Sequence, residues 1–336
     1  MITTDILIIG AGPCGLFTVF EAGLLKMKCH LVDALPQIGG QLSEIYPKKP
    51  IYDIPGYPSV LAGDLVKKLE EQIAPFKPTY TLGERAEKIE KTGEKEYTLT
   101  TNKGTIIKAP VIAIAGGLGS FEPRKPPIEG IANFEDKGVD YMVKDPEKFR
   151  DKKLLIAGGG DSALDWTIEL ADIADEVTLI HRRTSFRGAL DSVDKVMALA
   201  ESEKVKLYTE AQAIGVNGND NGHLKEVLVK SKSLGEFSQP VDNFIPLFGL
   251  TPKLGPIADW GLNIHKSAVE VSTEDYSTGT PGIYAIGDIN TYPGKLKLIL
   301  CGFHEGTMMV QSAFKYIYPD QKLSFKYTTV TGVPSA

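Results

Sequence analysis

The chain contains one local pattern twice: a short apolar run, a glycine-rich turn, a helix-like segment and a second apolar run. The first copy starts with DILII at residues 5–9, and the second starts with KLLIA at residues 153–157. Their turns read Gly10-Ala-Gly12-Pro-Cys14-Gly15 and Gly158-Gly-Gly160-Asp161-Ser162-Ala163. This order of elements is typical of a βαβ unit that binds a dinucleotide, and the sequence therefore predicts an α/β fold with two such units.

The spacing within the two copies is the same. Gly10 lies 23 residues before Asp33, and Gly158 lies 23 residues before His181, at the end of the second apolar run in each case. In such turns the first glycine permits a tight turn, the second lets a pyrophosphate approach the backbone, and a small third residue lets helix and strand pack closely. The candidate cofactor-binding residues are therefore Gly10, Gly12, Cys14, Gly15, Gly158, Gly160, Asp161, Ser162 and Ala163. The alternative is a pair of ordinary strand–helix turns.

The residues at the ends of the second runs distinguish the two units. Asp33 can accept hydrogen bonds from ribose hydroxyls and would repel a 2′-phosphate, which fits FAD or NAD. The second unit continues instead as HRRTSFR, with His181, Arg182, Arg183 and Arg187. Clustered guanidinium groups bind phosphate through charge-assisted hydrogen bonds, which fits the 2′-phosphate of NADP. The alternative for this cluster is a solvated basic turn.

Length and composition narrow the functional classes. A chain of 336 residues suggests two domains, and its 34 glycines, about 10%, exceed the usual ~7%. The net charge of −6 argues against nucleic-acid binding by the whole protein, although it allows a local basic patch. Three cysteines are too few for a disulfide framework or a four-cysteine zinc site, and no metal site is expected. No targeting segment or apolar stretch of ~20 residues is present, so we expect a cytoplasmic protein that does not enter a membrane.

A third pattern suggests how the chain is divided. The stretch TPGIYAIGD at residues 280–288 reads as a strand that ends in Gly-Asp, and a helix is predicted around residues 302–317. Two segments rich in glycine and proline, at 116–127 and 245–256, read as domain connections that could act as hinges, or as plain surface loops. The Gly-Asp strand resembles one that belongs to the first domain in flavoproteins with two dinucleotide sites, and this resemblance implies a discontinuous FAD-binding domain with an inserted NADPH-binding domain. Hairpins are predicted around residues 102–104 and 217–222. The predicted ranges are 1–116 with 245–336 for FAD, and 117–244 for NADPH.

Several longer strings carry a family resemblance over nearly the full chain. Besides the two glycine turns and the closing tail they are LPQIGGQL at 35–42, YPKKPIYDIPGYP at 46–58, HRRTSFR at 181–187, LGPIADWGL at 254–262 and YAIGDI at 284–289. With these strings the chain resembles the homodimeric bacterial ferredoxin–NADP⁺ reductases of the thioredoxin-reductase-like type. The resemblance implies two Rossmann-like, three-layer ββα domains, the cofactors FAD and NADP(H), and a homodimer. It also implies hydride transfer from NADPH to FAD, followed by one-electron transfer to ferredoxin or flavodoxin.

The resemblance also implies particular FAD contacts. Tyr46 would stack on one face of the isoalloxazine ring, with Tyr327 as the candidate for the opposite face and for a lid that moves before nicotinamide stacks. The other implied contacts are Asp33, Gln41, Ala86, Phe121, Asp288 and Thr329. Alternatively, Tyr46 and Phe121 are ordinary core aromatics, and Tyr52 and Asp53 only shape a turn. No general acid or base is expected, because hydride transfer requires stacking more than proton transfer.

The cysteines set this chain apart from thioredoxin reductases, which carry a Cys-x-x-Cys pair shortly before the second nucleotide motif. Here no cysteine lies between Cys29 and Cys301, so the sequence disfavours a disulfide reductase. An NADPH oxidase or diaphorase that uses small acceptors, and a non-catalytic FAD redox sensor, remain alternatives. Because ferredoxins are generally acidic, we also expect a basic docking surface. Its candidates are Lys48, Lys49, Arg124, Lys125, Lys295 and Lys297.

Overall fold

The structure is a computed structural model that describes residues 1–323 and 328–333, and its chain divides into two compact units. The first unit combines Met1–Ser120 with Pro252–Ala336, and the second is the contiguous segment Phe121–Thr251. The predicted boundary after residue 244 falls inside strand Asn243–Pro246, which pairs in the main sheet of the second unit. The inserted unit therefore ends later than the sequence indicated.

The first unit is built on a five-stranded sheet whose paired strands are all parallel. In spatial order the strands are Ile283–Ala285, Val111–Ile114, Ile6–Ile9, Cys29–Asp33 and Thr79–Leu82. The central strand Ile6–Ile9 is apolar at every position because it is covered on both faces. Ile6 and Ile8 pack into one core cluster, and Leu7 and Ile9 pack into another.

The two faces of this sheet are covered differently. Helices Pro13–Leu24, Ala62–Ile73 and Ile299–Ile317 supply side chains to the cluster that contains Ile6 and Ile8. The opposite face carries a four-stranded sheet of Ile2–Thr3, Ile106–Ala109, Glu96–Thr101 and Ala86–Gly93. The unit therefore has three layers, sheet on sheet on helices.

The second unit repeats this arrangement on a smaller scale. Its parallel sheet contains, in order, Val205–Thr209, Glu176–His181, Lys153–Ala157 and Asn243–Pro246. Helices Asp161–Leu170 and Leu190–Glu201 pack with one face through Leu154 and Ile156. The other face, with Leu155 and Ala157, meets a three-stranded antiparallel sheet. That sheet consists of Ala211–Gly218, Leu224–Ser231 and Gly235–Pro240. The predicted fold class, two Rossmann-like ββα domains, is confirmed.

Shorter elements complete the chain. The predicted hairpins are present, since Glu96–Thr101 pairs with Ile106–Ala109 and Ala211–Gly218 pairs with Leu224–Ser231, both antiparallel. The glycine- and proline-rich connections, expected as hinges or loops, contain strands Ser120–Pro123 and Leu250–Lys253, which pair as a two-stranded sheet. The remaining short α-helices and strands are Gln41–Glu44, Thr328–Thr331, Pro50–Ile51, Val60–Leu61, Ile264–His265, Ala268–Glu270 and Asn290–Thr291. Short 3₁₀ helices span Ala74–Phe76, Ile131–Phe134, Pro146–Phe149, Gly255–Asp259 and Gly287–Ile289. Within the described ranges, no helix is long and apolar enough to cross a membrane.

Candidate functional site

The first glycine turn joins strand Ile6–Ile9 to helix Pro13–Leu24, and its three glycines have different surroundings. A Cβ on Gly10 would lie 2.3 Å from the carbonyl oxygen of Ala115, and φ of Gly10 is +111°. A Cβ on Gly15 would lie 2.1 Å from the carbonyl oxygen of Gly10, so only glycine lets the helix approach the strand this closely. A Cβ on Gly12 would meet no atom within 4 Å, because Gly12 faces open space at the start of the helix. This is the geometry in which a helix N-terminus can receive a phosphate group.

Asp33 ends the neighbouring strand and is tied to the same turn. One carboxylate oxygen accepts a hydrogen bond from the backbone nitrogen of Ala11 at 2.7 Å, and the other accepts one from Leu35 at 2.9 Å. Burial raises the pKa of Asp33, and these two backbone donors oppose the rise. Each oxygen retains further acceptor capacity, so a ribose hydroxyl can be bound beside the turn.

The loop that contains Gly39 and Gly40 lies against the first turn. The backbone nitrogen of Gly39 donates to the carbonyl oxygen of Ala11 at 2.8 Å, and a Cβ on Gly40 would lie 3.2 Å from the Cα of Gly12. The next residue, Gln41, starts a short helix, and its side-chain amide is 3.3 Å from the position of a Cβ on Gly117. The loop thus brings Gln41 close to the end of strand Val111–Ile114.

Asp288 and Tyr46 lie on segments that are far apart in sequence but close in space. Burial raises the pKa of Asp288, while Lys297 and Lys295 lower it. Burial and the charge of Asp288 raise the pKa of Tyr46 to about 12, which places the phenol near this carboxylate. Both side chains are half-buried. The structure therefore brings together two of the residues that the sequence assigned to the flavin.

Sequence reasoning missed a buried carboxylate behind Asp288. Glu305 is 1% exposed, lies on helix Ile299–Ile317 and accepts a hydrogen bond from the backbone nitrogen of Gly287 at 2.6 Å. It also forms an ion pair with Lys295, whose side chain is 6% exposed. Lys295 was a candidate for the basic docking surface, and that prediction is wrong because its ammonium group is buried against Glu305. The sequence could have indicated this buried carboxylate, because Glu305 lies among Gly302, Gly306 and other residues of the face of helix Ile299–Ile317 that packs inward.

The thiol of Cys14 is enclosed by the same elements. A Cβ on Gly302 would lie 2.2 Å from its sulfur, and a Cβ on Gly287 would lie 3.1 Å from it. Burial, followed by the charge of Asp288, raises the pKa of Cys14 to about 12. The thiol is therefore un-ionised and acts as a small packing group.

The second glycine turn has a similar arrangement. A Cβ on Gly158 would lie 2.5 Å from the Cβ of Ala163 and 2.8 Å from the carbonyl oxygen of Leu247, so the turn is tightly packed underneath. A Cβ on Gly160 would meet nothing within 4 Å. Asp161 and Ser162 follow it as exposed residues in the first turn of helix Asp161–Leu170.

The arginine-bearing loop folds back onto this turn. The backbone nitrogen of Arg187 donates to the carbonyl oxygen of Gly159 at 2.7 Å, and the backbone nitrogen of Ala189 donates to the carboxylate of Asp161 at 2.8 Å. The side chains of Arg182, Arg183 and Arg187 are exposed. Exposed guanidinium groups are thus attached to a glycine turn that is open above Gly160.

His181 differs from the role predicted for it. Its ring is 5% exposed, stacks on Phe186 with 5.0 Å between centroids, and occupies the place where a Cβ of Gly159 would lie. Nε2 donates to the carbonyl oxygen of Ser185 at 3.1 Å. Burial lowers the pKa of His181, and the nearby arginines lower it further. A neutral, buried imidazole supports the loop from below and does not belong to the exposed arginine cluster.

For the remaining predicted FAD-binding residues, the structure gives only their positions in the fold. Ala86 is a buried residue at the start of strand Ala86–Gly93, and Thr329 is an exposed residue of the short helix Thr328–Thr331. Phe121 lies in the connecting strand Ser120–Pro123, and its side chain is not among those described. Tyr327 lies outside the described residues.

Comparison with known proteins identifies the family. The sequence profile of the pyridine nucleotide-disulphide oxidoreductases matches residues 4–315. The chain belongs to this family. Among curated relatives, ferredoxin–NADP reductase 2 of Christiangramia forsetii is 66% identical over 99% of this chain and 94% of its own. A ferredoxin–NADP reductase of Flavobacterium johnsoniae is 65% identical over 99% of this chain and 95% of its own.

A solved structure places this pyridine nucleotide-disulphide oxidoreductase in a wider fold group. Thioredoxin reductase of Lactococcus lactis, in its FR conformation, has a TM-score of 0.80 and 24% identity, covering 94% of this chain and 99% of that one. The predicted resemblance to a thioredoxin-reductase-like ferredoxin–NADP reductase is confirmed by these relatives together. The three cysteines, Cys14, Cys29 and Cys301, are unpaired.

Proposed function

We propose that this protein is an NADPH-dependent flavoprotein reductase that transfers electrons through FAD between NADPH and ferredoxin or flavodoxin. The observation that carries the proposal is the contrast between two open glycine turns. The first is bound to the carboxylate of Asp33, whereas the second lies beside exposed arginines. The curated relatives at 66% and 65% identity carry the name ferredoxin–NADP reductase, which agrees with one site for each dinucleotide.

The first unit is the proposed FAD-binding domain. The space above Gly12 fits a pyrophosphate, since the backbone there is open while Gly10 and Gly15 are packed tightly below it. Asp33 would bind the adenosine ribose, Gln41 would lie near the pyrophosphate, and Asp288 would bind the ribityl chain. Tyr46 would lie against the flavin ring. Bound FAD would supply the chemistry, since it accepts a hydride and can give up electrons singly.

The second unit is the proposed NADPH-binding domain. The N-terminus of helix Asp161–Leu170 receives the pyrophosphate at Gly160. Arg182, Arg183 and Arg187 bind the 2′-phosphate, which NADH lacks, by charge-assisted hydrogen bonds. A steady-state comparison of NADPH with NADH tests this assignment, and a lower KM together with a higher kcat for NADH would contradict it.

The electron acceptor is proposed to be an acidic protein. Lys297 is exposed close to Asp288, so it offers positive charge near the proposed flavin site. Charge reversal in Lys297→Glu should raise the KM for ferredoxin several-fold. Lys91→Glu makes the same charge change on an exposed strand residue of the first unit and serves as the matched control. Equal KM values for the two variants, together with activity independent of ionic strength, would count against this docking site.

A second candidate function is an NADPH oxidase or diaphorase, because an accessible reduced flavin also reduces small acceptors. The decisive experiment starts from purified protein with its flavin absorbance spectrum. NADPH oxidation is then compared with ferredoxin, with thioredoxin and with oxygen alone. The proposal requires the highest kcat/KM with ferredoxin, and similar rates with ferredoxin and oxygen alone would favour the oxidase. Reduction of thioredoxin is not expected, because the sequence has no Cys-x-x-Cys pair.

We further propose a homodimer in the cytoplasm. The family resemblance supports the dimer, and the mass in solution measured by light scattering tests it. The unpaired cysteines are in keeping with a reducing compartment.

A further inference from the structure

Glu305 has an unusual environment for a charged residue. It is 1% exposed within the inward face of helix Ile299–Ile317, where its neighbours are mostly apolar or glycine. A carboxylate in such a place is costly unless donors and a counter-charge surround it. Its surroundings therefore indicate what it does.

Four donors meet the two oxygens of Glu305. One oxygen accepts from the backbone nitrogen of Gly287 at 2.6 Å and from the amide of Asn290 at 2.8 Å. The other accepts from the hydroxyl of Tyr292 at 2.9 Å and from the ammonium group of Lys295 at 2.5 Å. Four donors match the acceptor capacity of an ionised carboxylate, so the pair consists of a buried anion and a buried cation.

This cluster holds the turn that presents Asp288. Gly287 has φ of +75°, a conformation that favours glycine, and its backbone N–H is fixed by Glu305. Glu305 and Lys295 act on Asp288 in opposite directions, since the first raises and the second lowers its pKa. The two buried charges therefore hold the position of Asp288 and contribute to its electrostatic surroundings, where burial and Lys297 have the larger effects on its pKa.

We propose that Glu305 and Lys295 are positioning residues that hold the Gly287–Asp288 turn and set the charge beside the bound flavin. This inference rests on the proposed function, because it requires FAD next to Asp288. Reduction brings electrons to the FAD, so an added positive charge nearby favours the reduced form and an added negative charge opposes it.

Substitutions of Glu305 and of Lys295 are predicted to shift the flavin reduction potential in opposite directions. Glu305→Gln leaves Lys295 without its counter-charge and should shift the flavin reduction potential to a more positive value. Lys295→Met leaves the anion of Glu305 and should shift the potential to a more negative value. The double variant should return towards the native potential. Tyr292→Phe removes one neutral hydrogen-bond donor and no charge, so the flavin reduction potential should not change.

The experiment is an equilibrium redox titration of each flavin-loaded variant against a reference dye, with the FAD affinity of each apoprotein measured by fluorescence quenching. We expect about tenfold weaker FAD binding for Glu305→Gln, because a hydrogen bond that orients the turn changes from charged to neutral. Shifts of opposite sign support the inference. Shifts of the same sign, or none, overturn it and leave a purely structural role. If native protein binds no FAD at all, the proposed function fails instead, and the two failures are thus distinguishable.

Discussion

The second and third glycines of the first turn, Gly12 and Gly15, predict separable effects of the same substitution. Alanine at position 15 places a Cβ 2.1 Å from the carbonyl oxygen of Gly10, so helix Pro13–Leu24 must move by about 1 Å to restore normal contact. Overpacking of this kind costs up to about 3 kcal/mol, and replacing glycine in a helix returns about 1 kcal/mol. The net loss for Gly15→Ala is therefore up to about 2 kcal/mol, a fall in Tm of up to roughly 4–8 °C for a unit of this size.

Gly12→Ala should behave in the opposite way. Its Cβ meets no protein atom within 4 Å, so the apoprotein should lose less than about 1 kcal/mol. The same methyl group occupies the space proposed for the pyrophosphate, and FAD affinity should fall at least tenfold, about 1.4 kcal/mol.

Two measurements on apoprotein test the pair: thermal unfolding, and titration with FAD followed by quenching of flavin fluorescence. We expect a stability defect in Gly15→Ala and an FAD-binding defect in Gly12→Ala. Native FAD affinity in Gly12→Ala, or a native Tm in Gly15→Ala, would refute it.

Three further predictions concern other parts of the two units. Arg183→Ala and Arg187→Ala should each raise the KM for NADPH about tenfold and leave the KM for NADH unchanged, because only NADPH carries the 2′-phosphate. Equal changes in KM for both nucleotides would contradict the assignment of these arginines to the 2′-phosphate. Burial lowers the pKa of His181, so below the ordinary pKa of about 6.5 the unfolded state binds more protons and the free energy of unfolding should fall on acidification. In urea titrations, the free energy of unfolding of His181→Gln should depend less steeply on pH than that of the native protein. An identical slope would contradict this prediction. Gly302→Ala should lower the stability of the protein, because its Cβ would lie 2.2 Å from the sulfur of Cys14. Adding Cys14→Ala to this variant should recover most of the lost stability in calorimetry. If the effects of the two substitutions on stability simply add, the contact is not supported.

Local pattern predicted much of the fold. Strand Lys153–Ala157 has the bounds that the apolar run indicated, and strand Cys29–Asp33 ends at the predicted acidic residue. These elements are predictable because a glycine turn, an apolar run and a helix follow one another directly in the sequence. The domain connections were harder, since strand Leu250–Lys253 is stabilised by a partner more than a hundred residues earlier.

Site residues were predictable where backbone geometry requires a particular residue type. They were less predictable where their role depends on whether the side chain is buried. Lys295 reads as a surface charge in the sequence, because its partner is ten residues later and becomes a neighbour only when the chain folds onto helix Ile299–Ile317. His181 was misplaced for the same reason. Its position at the end of the strand was correct, but the sequence did not indicate that the ring would turn under Gly159.

The contact between Gly159 and His181 also restricts the order in which this sequence can change. A side chain at 159 would need the space of the imidazole, whose nearest ring atom is 2.1 Å from the Cβ position. A smaller residue at 181 would therefore have to appear first, at the expense of the stacking on Phe186. The middle glycine of the second turn is thus required by its protein neighbour, and we expect the effects of substitutions at 159 and 181 to be coupled.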